Sequence, residues 1–170
     1  MIVREYRADV LTDSEALELL YMPKLTADHD VRYITQRFEV DLVSHDKKEI
    51  FTFDFSNSTK NMTLKYKNQI RCKKDIPLLR LDVGSSWHEN PKKHVACDPK
   101  DPFYTVHDSC VGKMFEVGEP HIHYFREGYG DAWAYPVPPE FDDLDDVKKT
   151  VNQFLDKCNV VDKPIIQRGL

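Results

Sequence analysis

The 170-residue sequence predicts an α+β fold: an antiparallel sheet of five to seven strands, with an N-terminal and a C-terminal helix packed on it. Three observations predict it. Short runs of β-branched and aromatic residues follow one another through the first half of the chain, separated by polar turns. A capped apolar segment precedes them. An amphipathic segment with an acidic lead-in follows them near the end. One domain spanning 1–170, with a long loop insert at 84–118, suits this length.

Taken in order, Thr12 and Asp13 are capping residues ahead of an apolar run, so the first helix is expected over about Ser14 to Met22, with Pro23 ending it. From Val31 to Ser44 the sequence reads as strand. A polar turn, His45 to Lys48, leads to a strand in which Phe51, Phe53 and Phe55 alternate with Thr52 and Asp54, giving one strongly apolar face. The run from Met62 to Ile70 alternates again, and Ile76 to Gly84 gives a fourth strand. Gly84 to Gly118 has no period and holds Pro91, Pro99 and Pro102. A gap that long in a compact domain is commonly functional, metal-stapled or disordered. Pro120 to Glu127 resumes as strand, and Asp131 to Val137 is expected to pair with it across the turn at Gly128–Gly130. Val147, Val151, Phe154, Leu155 and Cys158 then fall at helical spacing behind an acidic stretch that suits a helix N-terminus.

Composition excludes several classes. With 41% hydrophobic residues the chain has material for a core, so wholesale disorder is excluded. The net charge of −5 argues against non-specific coating of nucleic acid, though not against a local basic groove. The N-terminal residues lack the apolar stretch of a signal peptide, and no segment approaches the roughly 20 apolar residues of a membrane span. A cytoplasmic protein with no membrane partner is therefore expected. Its four cysteines are then thiols or metal ligands rather than disulfides.

The chemistry concentrates in histidines. His121 and His123 stand two apart in a strand and share a face, as do Arg80 and Asp82 in theirs. If those strands are neighbours, the four groups converge, and His88 follows closely enough to reach over them. Such a set suits acid–base cleavage of a ribose phosphate. His88, His121 and His123 would move protons, Asp82 would orient an imidazole, and Arg80 or Arg126 would hold the phosphate. A metal centre is the competing reading, with His88 or Asp82 completing the ligands of His121 and His123. The plain alternative is a solvent-facing histidine pair. His121, His123 and Glu127 also resemble the first half of a cupin metal motif.

The long loop adds His94 with Cys97 and His107 with Cys110, two His-x-x-Cys pairs separated by nine residues. Together they supply a complete ligand set for structural zinc, the alternative being four unrelated polar residues in a loop. Between Ser56 and Arg80 seven positive side chains, Lys60, Lys65, Lys67, Arg71, Lys73, Lys74 and Arg80, face a single acid, Asp75. They suit a phosphate backbone, or equally an edge strand guarded by lysine against aggregation. Glu140, Asp142, Asp143, Asp145 and Asp146 form an opposite pole that serves helix capping and solubility, or mimics a phosphate backbone towards a basic partner.

From Pro77 to Val160 the chain resembles a family of small, largely uncharacterised bacterial and phage proteins. The resemblance rests on Leu79-Arg80-Leu81-Asp82, His88-Glu89-Asn90-Pro91, the run from His121 to Gly130, Trp133-Ala134, Phe154-Leu155 and Cys158-Asn159-Val160. The order Arg80, Asp82, His88, His121, His123 is more distantly similar to small toxins of bacterial toxin–antitoxin pairs. That likeness implies RNA-directed activity in a mobile-element or anti-defence setting, with an antitoxin or defence-system protein as partner. The insert between Pro91 and His121 departs from the pattern. Two functions are thus expected: a small RNase or phosphodiesterase, or a non-enzymatic inhibitor of a nucleoprotein complex.

Overall fold

The computed structural model describes residues 11–58 and 64–169. Helix α1 (Asp13–Tyr21) starts at Thr12, whose hydroxyl accepts from the Glu15 N–H while the Glu15 carboxylate accepts from the Thr12 N–H. That reciprocal pair satisfies two of the donors a helix start leaves free. Met22 turns to ψ 131°, the extended conformation that the following Pro23 demands, and the helix ends there.

Strands β1 (Lys24–Thr26), β2 (Val31–Tyr33), β3 (Phe38–Ser44), β4 (Ile50–Asn57), β5 (Tyr66–Cys72) and β6 (Ile76–Val83) come next. Then follow β7 (His88–Glu89), α2 (Tyr104–His107), a 3-10 turn at Asp108–Cys110, β8 (Met114–Phe115), β9 (His121–Tyr124) and β10 (Ala134–Pro136). Helix α3 (Val147–Lys157), β11 (Val160–Asp162) and β12 (Ile165–Gln167) complete the order. The main sheet has eight strands in the order β10-β9-β6-β5-β4-β3-β1-β11, antiparallel except where β1 meets β11.

The run expected as one strand from Val31 to Ser44 is two. The Gln36 N–H closes a turn on the Tyr33 carbonyl, and β2 leaves the main sheet to pair with β12. The run expected from Met62 begins as strand at Tyr66, and residues 59–63, including Lys60 and Met62, lie outside the described residues.

Phe51, Phe53 and Phe55 are fully buried, and register carries their face across the sheet to Ile70, Leu79, Leu81, Ile122 and Tyr124. Ala16, Leu19 and Leu20 of α1 and Val151, Phe154 and Leu155 of α3 join that core, with the Phe154 ring tilted against that of Phe53 at 5.9 Å. Both helices therefore cover one face. The opposite face carries the alternate side chains in cross-strand rows. One row is Glu39, Asp54, Gln69, Arg80, His123 and the next is Ser56, Lys67, Asp82, His121.

No described helix is long and apolar enough to cross a membrane.

Candidate functional site

The pairing of β6 with β9 sets Arg80 opposite His123 and Asp82 opposite His121. Strand alternation aims all four at the face the helices leave uncovered. Gly84 ends β6 at φ +72°, a left-handed turn that sends the chain back over this face as the β7–β8 ribbon. His88 and Phe115, paired across that ribbon, become its roof. The His88 ring lies 5.7 Å from that of His121 and 4.6 Å from that of His123, and Phe115 lies 5.0 Å from His121. Asn90 pins the ribbon down: its amide donates to the carbonyls of Cys110 and Ala134, and its Oδ1 accepts from the Ala134 N–H.

The result is closed. His121, His123 and Asp82 are 1%, 2% and 4% exposed. His121 Nδ1 donates to the Glu119 carbonyl at 2.9 Å, and His123 Nδ1 donates to the Asp131 carbonyl at 2.8 Å. Carbonyls only accept, so each Nδ1 carries the proton and each Nε2 presents a lone pair in the neutral ring. Both Nε2 atoms face Asp82 Oδ2, at 3.8 Å for His121 and 3.4 Å for His123. Neither makes a hydrogen bond there, and the buried His123 Nε2 has no partner.

Burial lowers the basicity of both imidazoles, against the opposing pull of the Glu119 carbonyl on His121 and of Asp82 on His123. Burial would raise the Asp82 carboxyl, but the His123 ring and the Arg80 charge outweigh it and hold it at about 2. Arg80 Nε donates to both Asp82 oxygens at 3.1 Å, and Arg80 Nη1 pairs with Asp131. Among the described residues the one histidine, cysteine and carboxylate grouping that could hold a metal ion is Asp82, His121 and His123, with ligand atoms within 4.8 Å of one another.

Other expected site residues lie elsewhere. Arg126 is fully buried and forked onto Asp101, while its Nε donates to the Tyr135 hydroxyl. It is out of reach of a phosphate because its guanidinium is spent on holding the insert. His107 joins the same network: Nδ1 accepts from the Tyr135 hydroxyl and Nε2 donates to the Val95 carbonyl, each at 2.8 Å. His94 pairs with Asp108 at the surface, Cys97 is half-buried and Cys110 is fully buried. These four form no ligand grouping. The insert is ordered instead by the Arg126–Asp101 pair and by Phe103, stacked 4.4 Å from Tyr135. His88 Nε2 is held between Asn90 Oδ1 and the Ala132 carbonyl, both at 3.0 Å. Asn90 and Asp131 are the site residues that sequence reasoning missed. The signal for Asn90 was its place before Pro91 in the run His88-Glu89-Asn90-Pro91; Asp131 had none.

The chain belongs to DUF6978, a family of unknown function, whose family model matches residues 11–160. No curated protein and no solved structure matches it.

Proposed function

We propose that this family member is a metal-dependent phosphodiesterase acting on RNA, with a divalent transition-metal ion held by Asp82, His121 and His123. The observation that carries the reading is the convergence of two unprotonated Nε2 atoms on one buried carboxylate. The buried His123 Nε2 has no partner, which is costly, and a cation would satisfy it together with His121 Nε2 and the Asp82 carboxylate. The Nδ1 bonds to backbone carbonyls fix ring orientation as outer-shell partners of metal ligands do. Two nitrogens and one oxygen suit zinc, manganese or iron better than magnesium or calcium. Such an ion supplies Lewis acidity to a phosphoryl oxygen.

Metal-free proton shuttling between the two imidazoles fits less well. It needs one ring charged and one neutral, and burial favours the neutral form of both. A toxin-like or anti-defence setting is the biological context we propose, from the order of Arg80, Asp82, His88, His121 and His123 alone.

Elemental analysis of purified protein tests the centre. Near-stoichiometric metal, lost in Asp82→Ala and His123→Ala and kept in Cys97→Ala, is expected. Labelled RNA should be cleaved, EDTA should stop it, and manganese or zinc should restore it. Metal retained after both ligand substitutions, or no cleavage with any divalent ion, counts against the enzyme.

The closure of the centre favours a second reading, a binding protein or inhibitor whose metal is structural. In that case EDTA lowers the melting temperature and RNA remains intact.

A further inference from the structure

Two depressions lie side by side on the uncovered sheet face. One, of about 290 Å³, is lined by Arg37, Asp54, Ser56, Lys67, Gln69 and Arg71. The other, of about 150 Å³, includes Ser56, Lys65, Lys67, Asp82 and Ser85 in its lining. They share Ser56 and Lys67, so together they make one groove that runs across β4, β5 and β6 and ends at Asp82.

The charges along it divide into two sets. Asp54 is matched by Arg71 at 2.6 Å, and Asp82 by Arg80 at 3.1 Å. Arg37, Lys65 and Lys67 have no ion pair among the described residues, and all three are exposed. Arg71 also pairs with Glu39 and Arg80 also with Asp131, so these pairs hold two bases and four acids. The unpaired Arg37, Lys65 and Lys67 bring the groove and its ion-pair partners to +1 in a protein of net charge −5. Asp41, an acid on the same face without an ion pair, sits opposite Thr52 and lines neither depression. Past Ser85, Trp87 is 60% exposed, next to the His88 that roofs the metal-ligand cluster. An exposed indole is a stacking surface for a base, and unpaired cations in a groove track a phosphate backbone.

We propose that this groove binds single-stranded nucleic acid, its phosphates on Arg37, Lys65 and Lys67 and a base on Trp87, and leads the strand to Asp82. This deepens the phosphodiesterase reading and rests on it for the meaning of the groove's end. The groove crosses only β4, β5 and β6, and the Trp87 indole stacks on an unpaired base, so a single strand is favoured over a duplex. The cations contact phosphate rather than base edges, so sequence preference is weak.

The test is fluorescence anisotropy of the full chain with a labelled oligouridylate, in EDTA so that no cleavage intervenes. The matching DNA strand and a duplex of equal length are run beside it. The RNA strand should bind, and the duplex should bind at least tenfold more weakly. Lys67→Gln and Arg37→Gln should each weaken binding and reduce the slope of log affinity against log salt by about 0.7. Trp87→Ala should cost about tenfold with the slope unchanged. Equal binding of the DNA strand supports a groove that reads phosphate alone. No binding at low salt, a duplex bound as tightly as the strand, or unchanged slopes in both cation variants overturns the proposal. Circular dichroism confirms that the variants fold. Strand binding without cleavage under any metal keeps the groove and removes the enzyme. Metal binding without strand binding does the reverse.

Discussion

At the scale of single residues, Lys24 shows what local burial demands and what sequence pattern hides. It is fully buried in β1, and its ammonium donates to the carbonyls of Leu20, Met22 and Cys158 at 2.6, 2.8 and 2.9 Å. Those are carbonyls that the C-terminal ends of α1 and α3 leave unpaired, and the cation also suits the negative end of each helix dipole. Lys24→Met keeps the volume and removes all three donors, so a loss of about 2–4 kcal/mol in urea denaturation is expected. Gly84 is the second such position. A Cβ there would meet the Leu64 carbonyl oxygen at 2.2 Å, and φ is +72°. Gly84→Ala should cost more than about 1 kcal/mol. It should also loosen the His88 roof, read as faster hydrogen exchange over residues 85–90. Wild-type stability in either variant would show that the backbone yields more easily than these contacts imply.

Among elements, the insert from Gly84 to Gly118 is held by the buried Arg126–Asp101 pair, by Asn90 on Ala134 and by His107 on Tyr135. Arg126→Met leaves the Asp101 carboxylate buried without its partner, which typically costs about 3–5 kcal/mol. We expect α2 and the 3-10 turn to exchange amide protons early in that variant while β4, β5 and β6 stay protected. Uniform protection would mean that the aromatic stack of Phe103 on Tyr135 suffices. The elements legible in the sequence were those whose period or cap is local. These were α1 from Thr12, the Phe51–Phe53–Phe55 strand, and α3 from its spacing of Val147, Val151, Phe154 and Leu155. The convergence of His121 and His123 with Arg80 and Asp82 was also legible, because alternation fixes a face once two strands are neighbours. Elements made by distant partners were not legible. β11 and β12 are three residues each, and they form by pairing with β1 and β2, more than 130 residues earlier in the chain. The insert misled for a related reason. His94, Cys97, His107 and Cys110 have ligand spacing along the chain, but His107 is claimed by Tyr135 and Val95. Arg126 misled because nothing local marks it as the partner of an aspartate 25 residues earlier.

For the whole molecule, the histidine centre ties folding to acidity and to metal. In the metal-free protein burial keeps His121 and His123 below the ordinary imidazole range, so the unfolded chain binds protons that the folded chain refuses. The folded values are depressed, so the stability they contribute is complete above about pH 6.5 and is lost as pH falls below it. Each imidazole adds up to about 1.4 kcal/mol per pH unit to that decline. Asp82 acts in the same direction at lower pH: its contribution is full above the ordinary carboxylate value of 3.8 and is lost as pH falls towards about 2. Metal and protons compete for the same two Nε2 atoms, so a bound ion deepens the dependence rather than masking it. At a free metal concentration of 100 times Kd the ion adds about 2.7 kcal/mol at neutral pH, and acid removes that increment together with the ion. Urea denaturation between about pH 7.5 and 5, with EDTA and with added zinc or manganese, measures both effects. The metal-free curve should fall with acid, and the metal-loaded curve should start higher and fall more steeply. His123→Gln, which cannot take up a proton, should flatten the first curve and bring the second close to it. A wild-type protein whose stability is level over that range, and unmoved by metal, would leave the buried lone pairs of His121 and His123 without the cation proposed for them.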